Sequence, residues 1–354
     1  MTRADSERKN SGIEIAGVQV KPGQRQSFDL PGAQLYTHTP LDLPVEVICG
    51  RLDGPVLLVC AAIHGDELNG VEIIRRLRSL KSMGRLRGTL VLVPVVNLFG
   101  FIHRSRYLPD RRDLNRCFPG HSEGSLGSRV AHLFFSEVVT KCTHIIDLHT
   151  GAVHRENLPQ LRAALDESVV EAMAHSFEMP VIVNSGFIDG SLRSAAHDAG
   201  IPVITYEAGE ALRLDERCIV GGVRGVTNVM RGLAMLPSRR RHWTVEPYVA
   251  RSTSWYRAPT DGLFRPLAKL GARVRAGDTL GVVAAPFGGL ESYLKAKTEG
   301  IIICVNNLPL VNQGEALFHV ARFEAFDAVE QQLNAQMEAV EQDRLYEIER
   351  TPDV

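Results

Sequence analysis

The sequence lacks the features of a secreted or membrane-spanning protein. Its six cysteines are scattered and form no Cys-x-x-Cys pair, so reduced thiols packed as small apolar side chains explain them better than disulfides or a zinc knuckle. The apolar run at residues 56–63 has eight residues, far fewer than a membrane-spanning helix needs. Residues 1–11 are polar and of mixed charge, unlike a secretory signal. We therefore expect a cytoplasmic protein.

An excess of charge is also missing. The chain has 40 basic and 41 acidic side chains, so its net charge of -1 gives no general attraction to nucleic acid or to an anionic membrane. Arginines cluster between Arg104 and Arg116, but Tyr107 is the only aromatic residue among them. We expect a small-molecule partner and neither nucleic acid nor membrane. The sequence leaves a homo-oligomer open.

Strand-like and helix-like patterns alternate along most of the chain. Apolar runs of the strand type and periodic patterns of the helix type follow one another from residue 34 to residue 236. Such alternation is typical of a mixed, mostly parallel sheet flanked by helices. The strands are predicted within residues 34–63 and at 89–96, 144–148, 180–184 and 202–207, and the helices at 71–84, 127–139, 165–177, 191–199 and 222–236. We assign residues 1–240 to this α/β domain.

The pattern changes after a basic linker at residues 238–242. Residues 257–262 resemble residues 295–300, which indicates an internal duplication in a small β-sandwich or barrel at residues 250–322, of the biotinyl and lipoyl carrier kind. The predicted hairpin tip between the halves has no lysine, so no swinging arm is expected. Residues 323–354 are predicted to form a C-terminal helix and tail.

The residues with the clearest chemistry are two histidines and a glutamate. His64 and Glu67 directly follow an apolar run, and Gly65 between them permits a sharp turn. His149 ends a later run, and Asp147 could accept its second N–H. Either histidine alone suits a capping or core role, but two at the ends of predicted parallel strands favour a metal site. Three ligands leave a fourth position open, as in a catalytic zinc site.

Glu207 is the candidate general base. It closes a predicted strand, and a carboxylate at that end of a sheet can take a proton from water in a metal-containing cleft. A capping or surface glutamate is the alternative, and Glu210 is a weaker rival. Residues 120–124 match the Gly-x-Ser-x-Gly of serine hydrolases, but loop sequence precedes them where a nucleophile elbow needs a strand.

Asn115 and Arg116 form a candidate carboxylate-binding pair. A guanidinium beside an amide can hold a carboxylate at two points, so a carboxylate-bearing small substrate is expected. For Arg111 and Arg112 an exposed surface loop is the favoured interpretation.

Four motifs, in this order, resemble the succinylglutamate desuccinylase/aspartoacylase family, whose members are relatives of the zinc carboxypeptidases. They are His-Gly-Asp-Glu at 64–67, Asp-Leu-Asn-Arg at 113–116, Asp-Leu-His-Thr-Gly at 147–151 and Tyr-Glu-Ala-Gly at 206–209. The resemblance covers roughly residues 45–235, and the duplicated β-domain is similar to the one many bacterial members carry. It implies a zinc carboxypeptidase-like fold.

The resemblance also implies roles for single residues. His64, Glu67 and His149 would bind one Zn²⁺ per chain, Glu207 would activate water, and Asn115 with Arg116 would hold a substrate carboxylate. Family members use a preceding arginine to polarise the scissile carbonyl. Arg106 is our choice, and Arg104 remains an alternative. A further carboxylate-binding arginine could be Arg193 or Arg155.

These interpretations predict zinc-dependent hydrolysis of an amide bond in a small, carboxylate-bearing N-acyl amino acid, which releases a carboxylic acid and an amine. A metallocarboxypeptidase that cuts a peptide or an isopeptide is the alternative, because the same chemistry serves either bond. A non-catalytic binding protein on a hydrolase scaffold is a more distant alternative.

Overall fold

The computed structural model describes residues 8–34, 38, 40–238, 247–289 and 291–323. The predicted linker, except Ser238, and the predicted C-terminal helix beyond Phe323 lie outside the described residues. Among the described helices, none is both long and apolar enough to cross a membrane. The described α-helices are α1 (Asn69–Leu77), α2 (Leu98–His103), α3 (Leu126–Glu137), α4 (Ser168–Phe177), α5 (Leu192–Asp198) and α6 (Glu216–Gly232).

The strands fall into two groups along the chain. Those before residue 240 are β1 (Ile13–Ile15), β2 (Val18–Val20), β3 (Arg25–Gln34), β4 (Pro40–Cys49), β5 (Leu52–Ala61), β6 (Arg87–Val93), β7 (His144–Gly151), β8 (Arg155–Ala163), β9 (Val181–Asn184) and β10 (Val203–Glu210). Those after it are β11 (Tyr248–Ala250), β12 (Ser252–Arg257), β13 (Gly262–Pro266), β14 (Arg273–Val274), β15 (Thr279–Ala284), β16 (Glu291–Lys295), β17 (Gly300–Asn306), β18 (Leu310–Val311) and β19 (Ala316–Arg322).

A large mixed sheet organises the molecule. Its centre is the parallel run β10-β7-β5-β6, with β4 and β3 added antiparallel at one side. On the other side β8 pairs antiparallel with β10, and β17, β19 and β12 extend the sheet further. The predicted α/β fold with a mixed sheet is confirmed. The sheet is less parallel than predicted, because β8 and the C-terminal strands join it antiparallel.

Strand β5 shows why the central strands are continuous apolar runs. Leu57, Val59 and Ala61 belong to the core that includes α1, α4 and α6, whereas Leu58 and Cys60 belong to the core that includes α3 and α5. All five side chains are fully buried. Successive strand residues point to opposite faces, so a strand covered by helices on both faces must be apolar at every position.

Strand β8 is the main element that the sequence did not predict. It carries polar residues such as Asn157, Gln160 and Arg162 among its apolar ones, so it lacks the apolar run that marked the other strands. Pairing with β10 on one side and with β17 and β9 on the other holds it in the sheet. This position brings its polar side chains next to the end of β10.

The C-terminal strands form part of the large sheet and a second sheet of their own. The second sheet has the order β16-β15-β13-β18, and Phe264 from it packs in one core with Phe318 and Tyr256 from β19 and β12. Gly262 and Gly300 begin β13 and β17, equivalent positions of the repeat seen in the sequence. Strand β17 pairs directly with β8, so one sheet contains strands from both sides of residues 240–250. The division into domains at these residues stays a prediction.

The six cysteines carry free thiols, as predicted, with only Cys117 partly exposed. Burial raises the pKa of the Cys142 thiol to about 12. A thiol with such a pKa stays protonated at neutral pH and packs as a small apolar group.

Candidate active site

His64, Glu67 and His149 lie at the carboxyl ends of two neighbouring parallel strands. The loop after β5 carries His64 and Glu67, and β7, which pairs with β5, carries His149 near its end. The loop turns at once, since the backbone N–H of Glu67 donates to the carbonyl of His64 over 3.1 Å. This edge is where open α/β sheets bind their ligands.

Gly65 serves this loop in a different way from the one the sequence suggested. It is not among the residues with positive φ, so the turn does not require a left-handed glycine. A Cβ at this position would instead overlap the backbone of Gly100 in α2. Glycine is required because helix α2 approaches the loop closely.

The three side chains converge on one point. Glu67 Oε1 lies 2.7 Å from His64 Nδ1, and Glu67 Oε2 lies 2.8 Å from His149 Nδ1. The two Nδ1 atoms are 3.2 Å apart, and one ligand atom from each residue falls within 4.8 Å of the others. All three residues are buried. Two imidazole nitrogens and a carboxylate oxygen form a donor set that suits Zn²⁺.

Carboxylates orient both imidazoles. His64 Nε2 lies 3.1 Å from Asp113 Oδ1, and His149 Nε2 lies 2.8 Å from Asp147 Oδ2. An Nε2–H donated to a carboxylate leaves Nδ1 of the neutral ring with a lone pair for the common point. The arrangement therefore fits a metal ion in both the ligand atoms and their supporting hydrogen bonds.

The electrostatics of the cluster also favour a cation. Burial opposes ionisation of Glu67, but the charges of His64 and His149 outweigh it and hold the pKa of Glu67 well below its ordinary range. Burial also lowers the pKa of both histidines, yet the carboxylates around them, Glu67 and Asp147 among them, raise these pKa values overall. The negative charge that attracts protons to the imidazoles would equally attract a metal ion.

Arg106, rather than Arg104, reaches this cluster. Its Nη1 lies 3.3 Å from Glu67 Oε1, and its Nη2 lies 3.0 Å from Asp113 Oδ2. Arg104 caps α2 with a positive φ of 53° and is exposed. The geometry thus favours Arg106 as the arginine next to the metal ligands.

Glu207 lies one strand away from the cluster. It is in register with His149 across the parallel pair β10 and β7, so both side chains leave the same face of the sheet. Its Oε2 accepts a hydrogen bond of 2.8 Å from Asn157 Nδ2, and its Oε1 lies 3.4 Å from Arg162 Nε. Glu210 points elsewhere, because its Oε1 accepts from the backbone of residue 154.

Asn115 and Arg116 lie in a short 3₁₀ turn beside the start of α5. Asn115 Oδ1 accepts a hydrogen bond of 2.9 Å from the backbone N–H of Leu192, which leaves its Nδ2 as a donor. Arg116 is exposed, and so are Arg111 and Arg112, as predicted for a surface loop.

Arg193 and Arg155 occupy different surroundings. Arg193, at 9% exposure, donates to Ser185 Oγ over 3.1 Å and to the carbonyl of Gly186, and Glu207 contributes to the electrostatic field at its guanidinium. Arg155 on β8 lies over the ring of Trp255, 5.8 Å from its centroid. Of the two, Arg193 is the one buried close to the candidate base.

Sequence reasoning missed two polar partners of this site. Asp113 is part of the Asp-Leu-Asn-Arg motif, so the sequence carried a signal for this residue. Its contact with His64 was not predicted. Asn157 had no signal, because β8 was not predicted. The Gly-x-Ser-x-Gly at residues 120–124 lies in the irregular segment before α3, as expected for a chance match.

The chain matches the family described as the succinylglutamate desuccinylase/aspartoacylase catalytic domain over residues 53–233, slightly more than half of its length. It belongs to this family. The match contains all three metal-ligand candidates, Glu207 and the Asn115–Arg116 pair.

The curated relatives of this chain include a deacetylase and a desuccinylase. The chain is 31% identical over 118 residues to N-alpha-acetyl-L-2,4-diaminobutyric acid deacetylase of Halomonas elongata, and the match covers 33% of this chain and 34% of that protein. It is 30% identical over 227 residues to succinylglutamate desuccinylase of Pseudomonas aeruginosa, covering 56% and 63%. The matches thus span between a third and just under two thirds of these relatives.

Solved structures show the same fold over most of the chain. A succinylglutamate desuccinylase/aspartoacylase from Rhodobacter sphaeroides superposes with a TM-score of 0.77 at 24% identity, covering 90% of this chain and 99% of that one. A product-bound ectoine utilization protein from Ruegeria pomeroyi gives 0.78 at 23% identity, covering 88% and 99%. At these identities the likeness establishes the fold alone.

Proposed function

We propose that this protein hydrolyses the amide bond of a small, carboxylate-bearing N-acyl amino acid, with one Zn²⁺ per chain, and releases a carboxylic acid and an amine. The observation that carries the proposal is the convergence of His64, Glu67 and His149, with Glu207 in register one strand away. The names of the curated relatives, a deacetylase and a desuccinylase, support an N-acyl amino acid over a peptide.

His64, Glu67 and His149 are the residues that would hold the ion. When bound, Zn²⁺ would supply Lewis acidity toward water and toward the scissile carbonyl. Asp113 and Asp147 keep the two imidazoles in the orientation that presents Nδ1.

Glu207 is the proposed general base and acid. The hydrogen bond from Asn157 fixes its Oε2, so Oε1 is the oxygen that takes a proton from the attacking water and returns it to the leaving amine. A carboxylate held in one orientation is preorganised for proton transfer, which lowers the entropic part of the barrier.

Arg106 and a second group of polar residues act on the substrate. Arg106, anchored by Glu67 and Asp113, donates to the carbonyl oxygen and stabilises the negative charge that develops there. The remaining residues hold substrate carboxylates: Asn115 and Arg116 as a pair, with Arg193 and, less centrally, Arg155.

The organisation of the chain is part of the proposal. We infer a hydrolase domain at residues 1–240, a duplicated β-domain of the biotinyl and lipoyl kind at 250–322, and a helix and tail at 323–354. The two sheets joined by the core around Phe318 support the second of these. A cytoplasmic location stays a prediction that rests on the unpaired thiols.

Metal removal tests the proposed function. The purified protein is treated with a chelator and assayed on N-acetyl, N-succinyl and N-formyl amino acids, before and after Zn²⁺ is returned. Activity should disappear and then recover. Glu207→Gln should retain zinc by elemental analysis but lose activity by roughly 10²–10⁴-fold. Amide hydrolysis that persists without metal would overturn the proposal.

A further inference from the structure

A groove of about 860 Å³ lies at the opposite edge of the central sheet from the metal-ligand cluster. The end of β4, the beginnings of β3, β5 and β6, and the chain between α1 and β6 form its walls. Leu52, at the amino end of β5, lines the groove, whereas His64 and Glu67 follow the carboxyl end of the same strand. Strand β5 has 10 residues, so roughly 30 Å separate the two places. The groove is therefore distinct from the candidate active site.

The lining of the groove is strongly basic. It includes six cationic residues and, among the described residues, no acidic one: Arg25, Arg51, Arg78, Lys81, Arg85 and Arg87. All six are exposed except Arg87, which is partly buried. Like charges gathered around one groove repel one another, and a bound anion relieves that repulsion.

The carboxylate that contacts this lining does not cancel its charge. The buried Glu46 accepts a hydrogen bond from Arg25 Nε, and its Oε2 lies 2.9 Å from Arg78 Nη2. One negative charge is thus shared by two guanidinium groups. Arg25 Nη1 also donates to the carbonyl of Arg78 over 2.8 Å, so this carbonyl at the end of α1 already has a donor. The other four cationic residues remain in excess.

The segment before β1 adds positive charge beside the groove. Asp53 follows the lining residue Leu52, and its Oδ1 accepts a hydrogen bond of 2.9 Å from the backbone N–H of Gly54. Lys9 forms a β-bridge with Leu52, and the backbone carbonyl of Arg8 accepts from the N–H of Asp53. Arg8 and Lys9 are both exposed. Two cations therefore accompany this one carboxylate.

The chemistry of the lining indicates a small phosphate-bearing ligand. Guanidinium groups form paired, charge-assisted hydrogen bonds with phosphate oxygens. Ile48, Met83 and Leu86 supply a buried apolar floor. The described lining contains no aromatic side chain on which the bases of a nucleic acid could stack. The volume of about 860 Å³ is that of a small-molecule site.

We propose that this groove binds a small anion that carries a diphosphate group, either free or attached to a nucleoside. Arg51 from the turn between β4 and β5 and Arg85 from the 3₁₀ turn Lys81–Arg85 donate to the phosphate oxygens from two separate segments. The apolar floor contacts the group to which the diphosphate is attached. Binding at this groove is independent of amide hydrolysis and gives the protein a second ligand site.

Titration calorimetry of the purified protein with pyrophosphate, ADP and orthophosphate tests the groove. Pyrophosphate or ADP should bind at least about tenfold more tightly than orthophosphate, because the second phosphate accepts further charge-assisted hydrogen bonds. Tighter binding of ADP than of pyrophosphate would place the nucleoside on the apolar floor, and equal binding would show that the diphosphate alone is recognised. Binding of both no tighter than that of orthophosphate would overturn the proposal.

Exchanges of single arginines locate the bound anion. Arg51→Gln and Arg85→Gln should each weaken diphosphate binding by about tenfold or more. Both residues are exposed, so the fold should be retained, as circular dichroism checks. Arg116→Gln is the matched control, because it removes the same charge from an exposed arginine beside the candidate active site and should leave the affinity unchanged. An equal loss in Arg116→Gln would place the anion in the active site and overturn the groove.

Two further measurements separate this site from other binding modes. Treatment with a chelator should leave the affinity unchanged, and diphosphate binding that disappears with the metal would show that an active-site ion holds the ligand. A single-stranded RNA oligonucleotide should not displace ADP at equal concentration. RNA that binds more tightly than ADP and is released by Arg51→Gln would replace the diphosphate site with a nucleic-acid surface.

Discussion

Asp113 joins two parts of the candidate active site, so its replacement by asparagine tests how the site is built. Its Oδ1 lies 3.1 Å from His64 Nε2, and its Oδ2 lies 3.0 Å from Arg106 Nη2. Burial opposes its ionisation, but His64 and Arg106 hold the pKa of Asp113 well below its ordinary range, so it is a carboxylate at neutral pH. Asp113→Asn keeps the shape and removes the charge from both contacts.

The structure sets the expected size of the effect. Loss of a carboxylate behind a metal-binding histidine costs roughly 10–100-fold in metal affinity, or about 1.4–2.7 kcal/mol. Asp147→Asn is the matched variant, because Asp147 supports His149 in the same way over 2.8 Å. The Asp147 side chain is 3% exposed and that of Asp113 is 16% exposed, so we expect the larger loss for Asp147→Asn. Water can partly replace the more exposed carboxylate.

The two variants should differ in turnover. Asp113→Asn also weakens the hold on Arg106, so kcat at saturating zinc should fall further than in Asp147→Asn, which leaves that arginine's contacts intact. Zinc affinity is measured by competition with a chromophoric chelator, and circular dichroism checks the fold. A folded Asp113→Asn protein that binds zinc as tightly as the wild type would refute the role of Asp113 in orienting His64.

Two further predictions concern stability. Hydrogen bonds from Arg75 and a neighbouring arginine lower the pKa of Glu72 from an ordinary 4.5 to about 2. Glu72→Gln should therefore lower the free energy of unfolding by about 1–2 kcal/mol at pH 7. This contribution to stability is present above pH 4.5 and is lost as the pH falls to about 2. The unfolding free energies of the wild type and Glu72→Gln should therefore converge at about pH 2, and a difference that persists at that pH would contradict the prediction. A Cβ at Gly225 in α6 would overlap the ring of Phe177, so Gly225→Ala should cost about 1–3 kcal/mol. Gly84→Ala is the control, because a Cβ at Gly84 meets open space. Equal melting temperatures for the wild type, Gly225→Ala and Gly84→Ala would show that the helix accommodates the added methyl group without loss of stability.

The sequence determined those features that short stretches of chain carry by themselves. The apolar run before His64 had to be a strand covered on both faces, and the structure buries it in two cores. The residue types of His64, Glu67 and His149 by themselves indicate a metal site, because imidazole and carboxylate are the groups that ligate zinc. Ligand chemistry and strand periodicity are local properties, so they can be deduced from sequence alone.

Only the tertiary structure decided which residues support that site. Asp113 lies 49 positions from His64, and Asn157 lies 50 positions from Glu207, so nothing local linked either pair. Strand β8, which brings Asn157 and Arg162 to Glu207, has too few consecutive apolar residues to stand out, and its pairing partners alone hold it in the sheet. Contacts of this kind follow from strand order and register, which the packing of distant segments fixes and no short stretch encodes.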